Sequence, residues 1–142
     1  MENNLRKAQM KMLSILISVH DICEKNNLTY WLEGGSLLGA IRHGGFIPWD
    51  DDIDISMPYQ DYVKFIEVAE KQLPSNLILQ HQGNYPETRF PIAKVRMLNT
   101  TFIEKDERKL FKKPCSQAEL NKIVPFGFSL QRQKMVFFLP LK

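Results

Sequence analysis

Residues 30–57 read YWLEGGSLLGAIRHGGFIPWDDDIDISM and hold a glycine pair, a short helical segment and a run of aspartates. The residues around its start, 28–32 (LTYWL), are β-prone and predict a short strand. Gly34 and Gly35 follow directly, and paired glycines permit positive φ angles and a close approach of another group to the backbone. The stretch therefore has the features of a site, and the rest of the chain is interpreted as the structure that holds it.

A helix is predicted directly after the glycine pair. Ser36 is a suitable N-cap for a helix over 37–41, and a second glycine pair at 44–45 follows it. The first N–H groups of a helix have no partner inside it, so those of Ser36 and Leu37 are expected to hold a phosphate oxygen. Many turns share this order of strand, Gly-Gly-Ser and helix, so the pattern alone is a weak indication of a phosphate site.

The acidic run 50–54 (DDDID) follows a segment that Pro48 keeps extended. Alternate residues of an extended strand share a face, so Asp50, Asp52 and Asp54 are predicted on one face. Carboxylates about 7 Å apart along a strand repel one another unless a cation lies among them. A hard divalent ion fits such oxygen ligands, most simply Mg²⁺, or Mn²⁺. The alternative is an exposed acidic turn, which the strand-like residues that follow disfavour.

A basic strand is predicted over 91–98 (PIAKVRML), with Lys94 and Arg96 on one side and apolar residues on the other. Two cations that project from one strand toward an acid-lined site suit a polyphosphate. The alternative, which this segment alone favours, is a half-buried strand with a solvated basic face.

Apolar residues recur at spacings of three and four in two segments, which predicts amphipathic helices over 4–25 and 59–73. The remaining predicted elements are short: strands at 77–79 and 100–104, a helical turn at 117–123, and a strand or apolar end at 135–139.

The composition is that of one soluble globular domain: 142 residues, 44% hydrophobic and 25% charged. The charge is unevenly distributed. Residues 1–70 carry 6 Lys/Arg and 11 Asp/Glu, a net charge of −5, whereas residues 71–142 carry 13 and 5, a net charge of +8. A site for a metal ion and a phosphate needs both kinds of charge. The alternative is surface charge that is uneven without a function.

Several classes of protein are not expected. Cys23 and Cys115 share no spacing motif, as in a reduced cytosolic chain without a disulfide or zinc site. No apolar signal peptide opens the chain, and the longest apolar run, 135–139, is far below the roughly 20 residues of a spanning helix. The expected location is the cytoplasm, with the inner face of a membrane as a second location. Nucleic acid is not an expected partner, because the basic C-terminal part has no interleaved aromatic platform.

The order E-G-G-S-L-L-G at 33–39, then Arg42, Gly45 and P-W-D-D-D-I-D at 48–54, resembles the LicD family of phosphocholine transferases. That family is related to the fukutin and fukutin-related ribitol-phosphate transferases. The later A-K-V-R at 93–96 resembles a second stretch of the family, and the likeness covers about residues 10–104.

The resemblance implies an α/β (α+β) fold with a nucleotidyltransferase-like mixed sheet flanked by helices. It implies a metal-dependent transferase that moves phosphocholine, or another phospho-alcohol, from a CDP-activated donor such as CDP-choline to a glycan hydroxyl. The expected setting is the modification of cell-surface polysaccharide, lipopolysaccharide or teichoic acid.

The resemblance also implies roles for individual residues. Asp52 and Asp54 match a metal-binding D-x-D, with Asp50 as a third acid, and these three are the expected catalytic residues. Gly35 and Ser36 match the turn that seats the donor phosphates, and Gly34 is the other glycine of that turn. Beside the resemblance, the chemistry of the basic residues makes Arg42, Lys94 and Arg96 candidates to stabilise the leaving nucleotide, and all six are the expected substrate-binding residues.

The chain departs from the family pattern after residue 104, where a further acidic strand is expected and none is recognisable. We therefore divide the chain into a LicD-like core at 1–104, the N-terminal part of the family domain, and a basic tail at 105–142 with 9 bases and 3 acids. The alternative interpretation is a truncated, inactive fragment or a module that binds a nucleotide or sugar phosphate. A third is an ordinary nucleotidyltransferase that acts on a small molecule or nucleic acid.

Overall fold

The computed structural model describes residues 4–84 and 93–100 and the backbone of 127–132. Three helices and five strands are described: α1 Asn4–Asn26, β1 Trp31–Leu32, α2 Gly34–His43, β2 Asp54–Met57, α3 Tyr59–Gln72, β3 Leu77–Gln80, β4 Ala93–Met97 and β5 Gly127–Arg132.

The five strands form one sheet in the order β1-β2-β5-β4-β3. Strands β2 and β5 are parallel, and the other neighbouring pairs are antiparallel. Helix α1 contacts α3, β4 and β5, while α2 contacts β2. Helices packed against a mixed sheet confirm the expected α/β (α+β) class.

The two predicted amphipathic helices are confirmed as α1 and α3. In α1 the buried apolar residues keep the spacing of three and four, because one stripe of a helix faces the sheet and α3. In α3 the fully buried residues are Phe65 and Ala69. The ends of the two helices are joined by the amides of Asn26 and Gln72, with nitrogen–oxygen distances of 3.0 and 3.3 Å.

The core lies between α1, α3 and the sheet. Its members are apolar and mostly fully buried: Met12, Ile15, Val19, Ile22, Cys23, Leu28, Ile53, Ile55, Met57, Phe65, Ala69, Leu77, Leu79, Ala93 and Val95. Burial raises the pKa of the Cys23 thiol to about 12. This thiol is therefore a packing group.

The predicted strand at 28–32 is shorter in the structure, where β1 holds only Trp31–Leu32. Asn27 takes a left-handed conformation with φ of 53°, and the Leu28 N–H donates to the carbonyl of Cys23 at 2.9 Å. The first predicted strand residues therefore end α1 before the sheet begins.

The later strands differ in how well the sequence predicted them. The strands at 77–79 and 91–98 are confirmed as β3 and β4, with slightly different bounds. Strand β5 was not predicted, although it lies between β2 and β4. Most of the predicted strand at 100–104, and the elements at 117–123 and 135–139, lie outside the described residues. The division at residue 104 stays a prediction, although a strand from beyond it pairs inside the sheet.

Candidate functional site

The glycine turn leads straight from β1 into α2. Helix α2 begins at Gly34, whose φ is 54°, and its N-cap is Glu33. The prediction of Ser36 as N-cap was wrong, because the helix starts three residues earlier than predicted and Ser36 lies in its first turn. The N–H groups of Ser36 and Leu37 both donate to the carbonyl of Glu33, at 3.1 and 3.3 Å. These two donors already have partners inside the chain.

Ser36 and Glu33 bind the glycine turn to β2. The Asp54 N–H donates to Ser36 Oγ at 2.9 Å, and the Glu33 N–H donates to the Asp54 carbonyl at 2.9 Å. The hydroxyl of buried Ser56 donates to the Glu33 carboxylate. These contacts hold Asp54 at the start of its strand, directly beside the glycine turn.

Gly35 is in contact with the side chain of Asp50. A Cβ atom on Gly35 would lie 2.7 Å from Asp50 Oδ2, a distance that real Cβ atoms do not adopt. The Asp50 carboxylate therefore lies against the backbone of the turn. Gly39 makes a second close approach, since a Cβ there would lie 2.5 Å from the carbonyl oxygen of Gly45.

The aspartates form a cluster that differs from simple strand alternation. Carboxylate oxygens of Asp50, Asp51 and Asp52 all lie within 4.8 Å of one another. The predicted strand at 50–54 enters the sheet only at Asp54, which is not in this three-member group of the described residues. The Asp50 N–H donates to the Ile47 carbonyl at 3.0 Å. A turn therefore precedes the strand, and alternation does not govern the first three acids.

Asp52 has a perturbed acidity. Its pKa is raised from 3.8 to about 6, first by burial of the carboxyl group and then by the charges of neighbouring aspartates. Among those charges, that of Asp54 raises the pKa more than those of Asp50 and Asp51 do. The residue as a whole is solvent-exposed, so the burial is partial shielding of the carboxyl group at an open site.

Hard oxygen donors that repel one another in this way suit a divalent cation, whose charge would lower the raised pKa of Asp52. The close contact of Asp50 with the backbone of Gly35 limits the positions open to this carboxylate. The described residues therefore fit a Mg²⁺ or Mn²⁺ ion.

Of the three predicted basic residues, Lys94 is brought into line with the acidic segment by the register of the sheet. Asp54 of β2 and Lys94 of β4 both pair with Ser129 of β5, so they lie in one row across three strands. Two strand spacings separate their Cα atoms by about 10 Å. Lys94 is half-buried, whereas Arg96 is only 5% exposed. Arg42 is exposed in the last turn of α2, where its Nε donates to His43 Nδ1 at 3.4 Å.

A cavity of about 300 Å³ lies between α1, α2 and the loop that leads to the acids. Gly35, Ser36 and Asp50 are among its lining residues, and most of the others are apolar. Arg6 of α1 adds a positive group to the wall. This cavity was not predicted from the sequence, because its walls come from α1 and from residues between 32 and 53, which are separate in the chain.

Sequence reasoning also missed Gln9. This residue lies on the buried face of α1, is 2% exposed, and donates to backbone carbonyls of the acidic loop. Its signal was a polar residue at helical spacing between Leu5 and Met12 in an otherwise apolar stripe. A buried polar side chain requires partners, so a polar residue at this position indicates a hydrogen bond to another segment of the chain.

Comparison with protein families matches residues 27–109 to the family described as LicD/FKTN/FKRP, nucleotidyltransferase domain. The lipopolysaccharide cholinephosphotransferase LicD of Haemophilus influenzae is 52% identical over 64 residues, which are 45% of this chain and 24% of that protein. An uncharacterized protein of Rickettsia prowazekii is 33% identical over 103 residues, 72% of this chain and 37% of that protein.

The ribitol 5-phosphate transferase FKRP of Homo sapiens is 55% identical over 40 residues, 28% of this chain and 8% of that protein. The chain therefore spans well under half the length of each of these relatives. Among the helices that the structure describes, none has the length and apolar character to cross a membrane.

Proposed function

The chain belongs to the LicD/FKTN/FKRP family, and on that premise we propose that it is a metal-dependent phospho-alcohol transferase. Its donor is a CDP-activated alcohol such as CDP-choline, and its acceptor is a glycan hydroxyl. The observation that supports this most is the contact between the glycine turn and the acidic run, in which Asp50 lies against Gly35 and Ser36 accepts the Asp54 N–H. The matched relatives named for cholinephosphate and ribitol phosphate transfer support the choice of a phospho-alcohol.

In this proposal Asp52 and Asp54 hold Mg²⁺ or Mn²⁺, and Asp50 contributes a third carboxylate. A bound divalent ion supplies charge neutralisation to the donor diphosphate and polarises its phosphorus. Asp52 belongs to the group of three carboxylates, and the charge of Asp54 acts on it more strongly than its other neighbours. Asp52 is therefore common to the group of three carboxylates and to the D-x-D pair that it forms with Asp54.

The chain's own contribution is mainly positioning, because attack of a hydroxyl on a diphosphate needs in-line geometry and charge stabilisation. Gly34 and Gly35 present backbone that a phosphate can approach closely. Lys94, in the same row as Asp54, and exposed Arg42 stabilise the leaving nucleotide. Arg96 belongs to the same proposed group, and because it is buried we assign it a supporting role there.

The proposed setting is the modification of lipopolysaccharide, cell-surface polysaccharide or teichoic acid, in the cytoplasm or at the inner face of the membrane. The name of the Haemophilus influenzae relative supports a lipopolysaccharide acceptor. The glycan and the CDP-activated alcohol are the only partners in this proposal, and nucleic acid has no part in it.

A second candidate is a module that binds a nucleotide or sugar phosphate without turnover. The observation that favours it is that the described contacts between the glycine turn and the acids all lie on the donor and metal side of the site. Such a module would keep the glycine turn and the acids and would bind the donor in a metal-dependent way.

Calorimetry with CDP-choline and Mg²⁺, followed by a CMP release assay with a glycan acceptor, tests both candidates. We expect metal-dependent binding and metal-dependent CMP release. Binding without CMP release would favour the module. In the same assays Asp52→Asn should lose both signals. Asp21→Asn is its matched control, because Asp21 is an exposed acid of α1 outside the cluster. Binding that is equal with and without divalent ion would reject the proposal.

A further inference from the structure

Gln9 is a polar residue in an apolar position. Its side chain is 2% exposed, and the other buried residues of α1 are apolar or, in Cys23, a thiol. Burying an amide without partners is costly, so such a residue is normally held by hydrogen bonds. Gln9 Nε2 donates to the Asp50 carbonyl at 2.9 Å and to the Ile47 carbonyl at 3.3 Å.

The two carbonyls belong to the turn that precedes the acidic cluster. Within that turn the Asp50 N–H also donates to the Ile47 carbonyl, at 3.0 Å. Gln9 therefore bridges the first and last residues of the turn from the side of α1. The Asp50 side chain lies against Gly35 on the side of α2. Asp50 is thus held at its backbone by one helix and at its carboxylate by the start of another.

Arg6 fixes the orientation of the Gln9 amide. Its Nη1 donates to Gln9 Oε1 at 3.2 Å, one helical turn away along α1. With the oxygen engaged in this way, the amide nitrogen faces the two carbonyls. The opposite orientation would place an oxygen against two oxygens and a nitrogen against a guanidinium, so hydrogen-bond chemistry selects the observed one.

We propose that Gln9 is a positioning residue that holds the acidic turn in the geometry needed for a divalent ion. This inference rests on the proposed metal-dependent function. Carboxylates within 4.8 Å of one another repel, and this repulsion favours an open turn over the observed one, so contacts with the rest of the fold must oppose it. Gln9 ties this turn to the most extensively buried helix, so the acids stay grouped before the ion arrives.

The principal test is Gln9→Met in the full chain, which keeps the shape of the side chain and removes the amide. Mn²⁺ affinity is measured by electron paramagnetic resonance, and stability by thermal unfolding. We expect affinity to fall by about 10- to 100-fold, the usual effect of losing an outer-shell partner of a metal site. The control is Val19→Ala, a fully buried α1 residue outside the turn, with near wild-type affinity. An affinity for Gln9→Met within twofold of the wild type, or an equal loss in Val19→Ala, would overturn the inference.

A second pair of variants avoids the core. Arg6 and Lys7 are both exposed, so Arg6→Met and Lys7→Met remove the same charge from neighbouring positions. Arg6 donates to the Gln9 amide oxygen, and Lys7 shows no such bond to it among the described residues, so Arg6→Met should weaken Mn²⁺ binding several-fold relative to Lys7→Met. Equal affinities for these two variants would count against the role of Gln9.

Backbone hydrogen exchange at 47–53 separates this inference from the proposed function. We expect faster exchange there in Gln9→Met than in Val19→Ala, with or without metal. If the wild-type chain binds no Mn²⁺ but exchange still rises in Gln9→Met, the metal function fails and the hold on the turn stands. If exchange at 47–53 is unchanged, the inference fails whatever the metal result.

Discussion

The acidic segment 50–54 and strand β4 have similar alternating sequences and take different structures. Strand β4, Ala93–Met97, pairs with β3 on one side and β5 on the other. The acidic segment enters the sheet only at Asp54. It begins in a turn, where the Asp50 N–H donates to the Ile47 carbonyl and the Asp50 carbonyl accepts from Gln9. Alternation therefore sets the faces of a segment only where neighbouring strands pair with it.

The acidic segment and β4 are nevertheless aligned with each other in the sheet. Asp54 and Lys94 both pair with Ser129, so the register of β5 places an acid and a base in one row. The grouping of the other acids comes from the turn and its contacts with α1 and α2. The acidic side of the site is thus built by turn contacts, and the basic side by strand pairing.

The largest effect is expected for Asp52→Asn, because Asp52 is common to the turn cluster and to the D-x-D pair. CMP release and Mn²⁺ binding should both fall by more than about 100-fold, since an outer-shell partner alone costs 10- to 100-fold. Asp54→Asn should also be strongly impaired, and Asp51→Asn only mildly. Steady-state kinetics and Mn²⁺ titration check this order. A loss in Asp51→Asn as large as in Asp54→Asn would assign the ion to the turn cluster instead.

The next effect separates the two cations of β4. Arg96 is 5% exposed, so Arg96→Met should lower the free energy of unfolding by about 1–3 kcal/mol, mainly through its contacts inside the fold. Half-buried Lys94 should show the opposite pattern, with little change in stability and weaker nucleotide binding in Lys94→Met. Urea unfolding and calorimetry with CDP-choline measure the two quantities. Equal stability losses in both variants would contradict the assignment of a structural role to Arg96 and a nucleotide-binding role to Lys94.

A smaller effect is expected from Gly35→Ala. The new Cβ would lie 2.7 Å from Asp50 Oδ2 and would displace that carboxylate from the turn. Mn²⁺ affinity should fall about tenfold, in the range for disturbed metal surroundings. Gly45→Ala is the matched control, because a Cβ there meets nothing within 4 Å. If both variants bind Mn²⁺ alike, the contact between the glycine turn and Asp50 has no part in metal binding.

The smallest effect concerns pH in the absence of divalent ions. The pKa of Asp52 is about 6 in the folded chain and near 3.8 when unfolded, so the folded state holds more protons between these values. Its contribution to stability is therefore lost as pH rises from about 4 to about 6. Asp52→Asn should remove this slope and be more stable than the wild type at pH 7 in chelator. Chemical unfolding at several pH values checks the sign, and a wild type whose stability rises over this range would contradict it.

Much of the fold follows from local patterns. The helices α1 and α3 were predicted because a spacing of three and four places apolar residues on one helix face, whatever lies elsewhere in the chain. Strands β3 and β4 were predicted from short β-prone runs. The glycine pair at 34–35 predicted a turn, and Gly34 has the positive φ that such a turn uses. The resemblance to the LicD family was confirmed by the match over 27–109.

The remaining features depend on residues far apart in the chain. Strand β5 is defined by its pairing with β2 and β4, and no local pattern in Gly127–Arg132 indicated that position. Gln9 acquires its role from carbonyls 38 and 41 residues away. Local periodicity determined which residues form helices and strands and which face of each is apolar. Tertiary packing decided which acids share a turn and which base lies in the row of Asp54, because hydrogen bonds between distant segments set those positions.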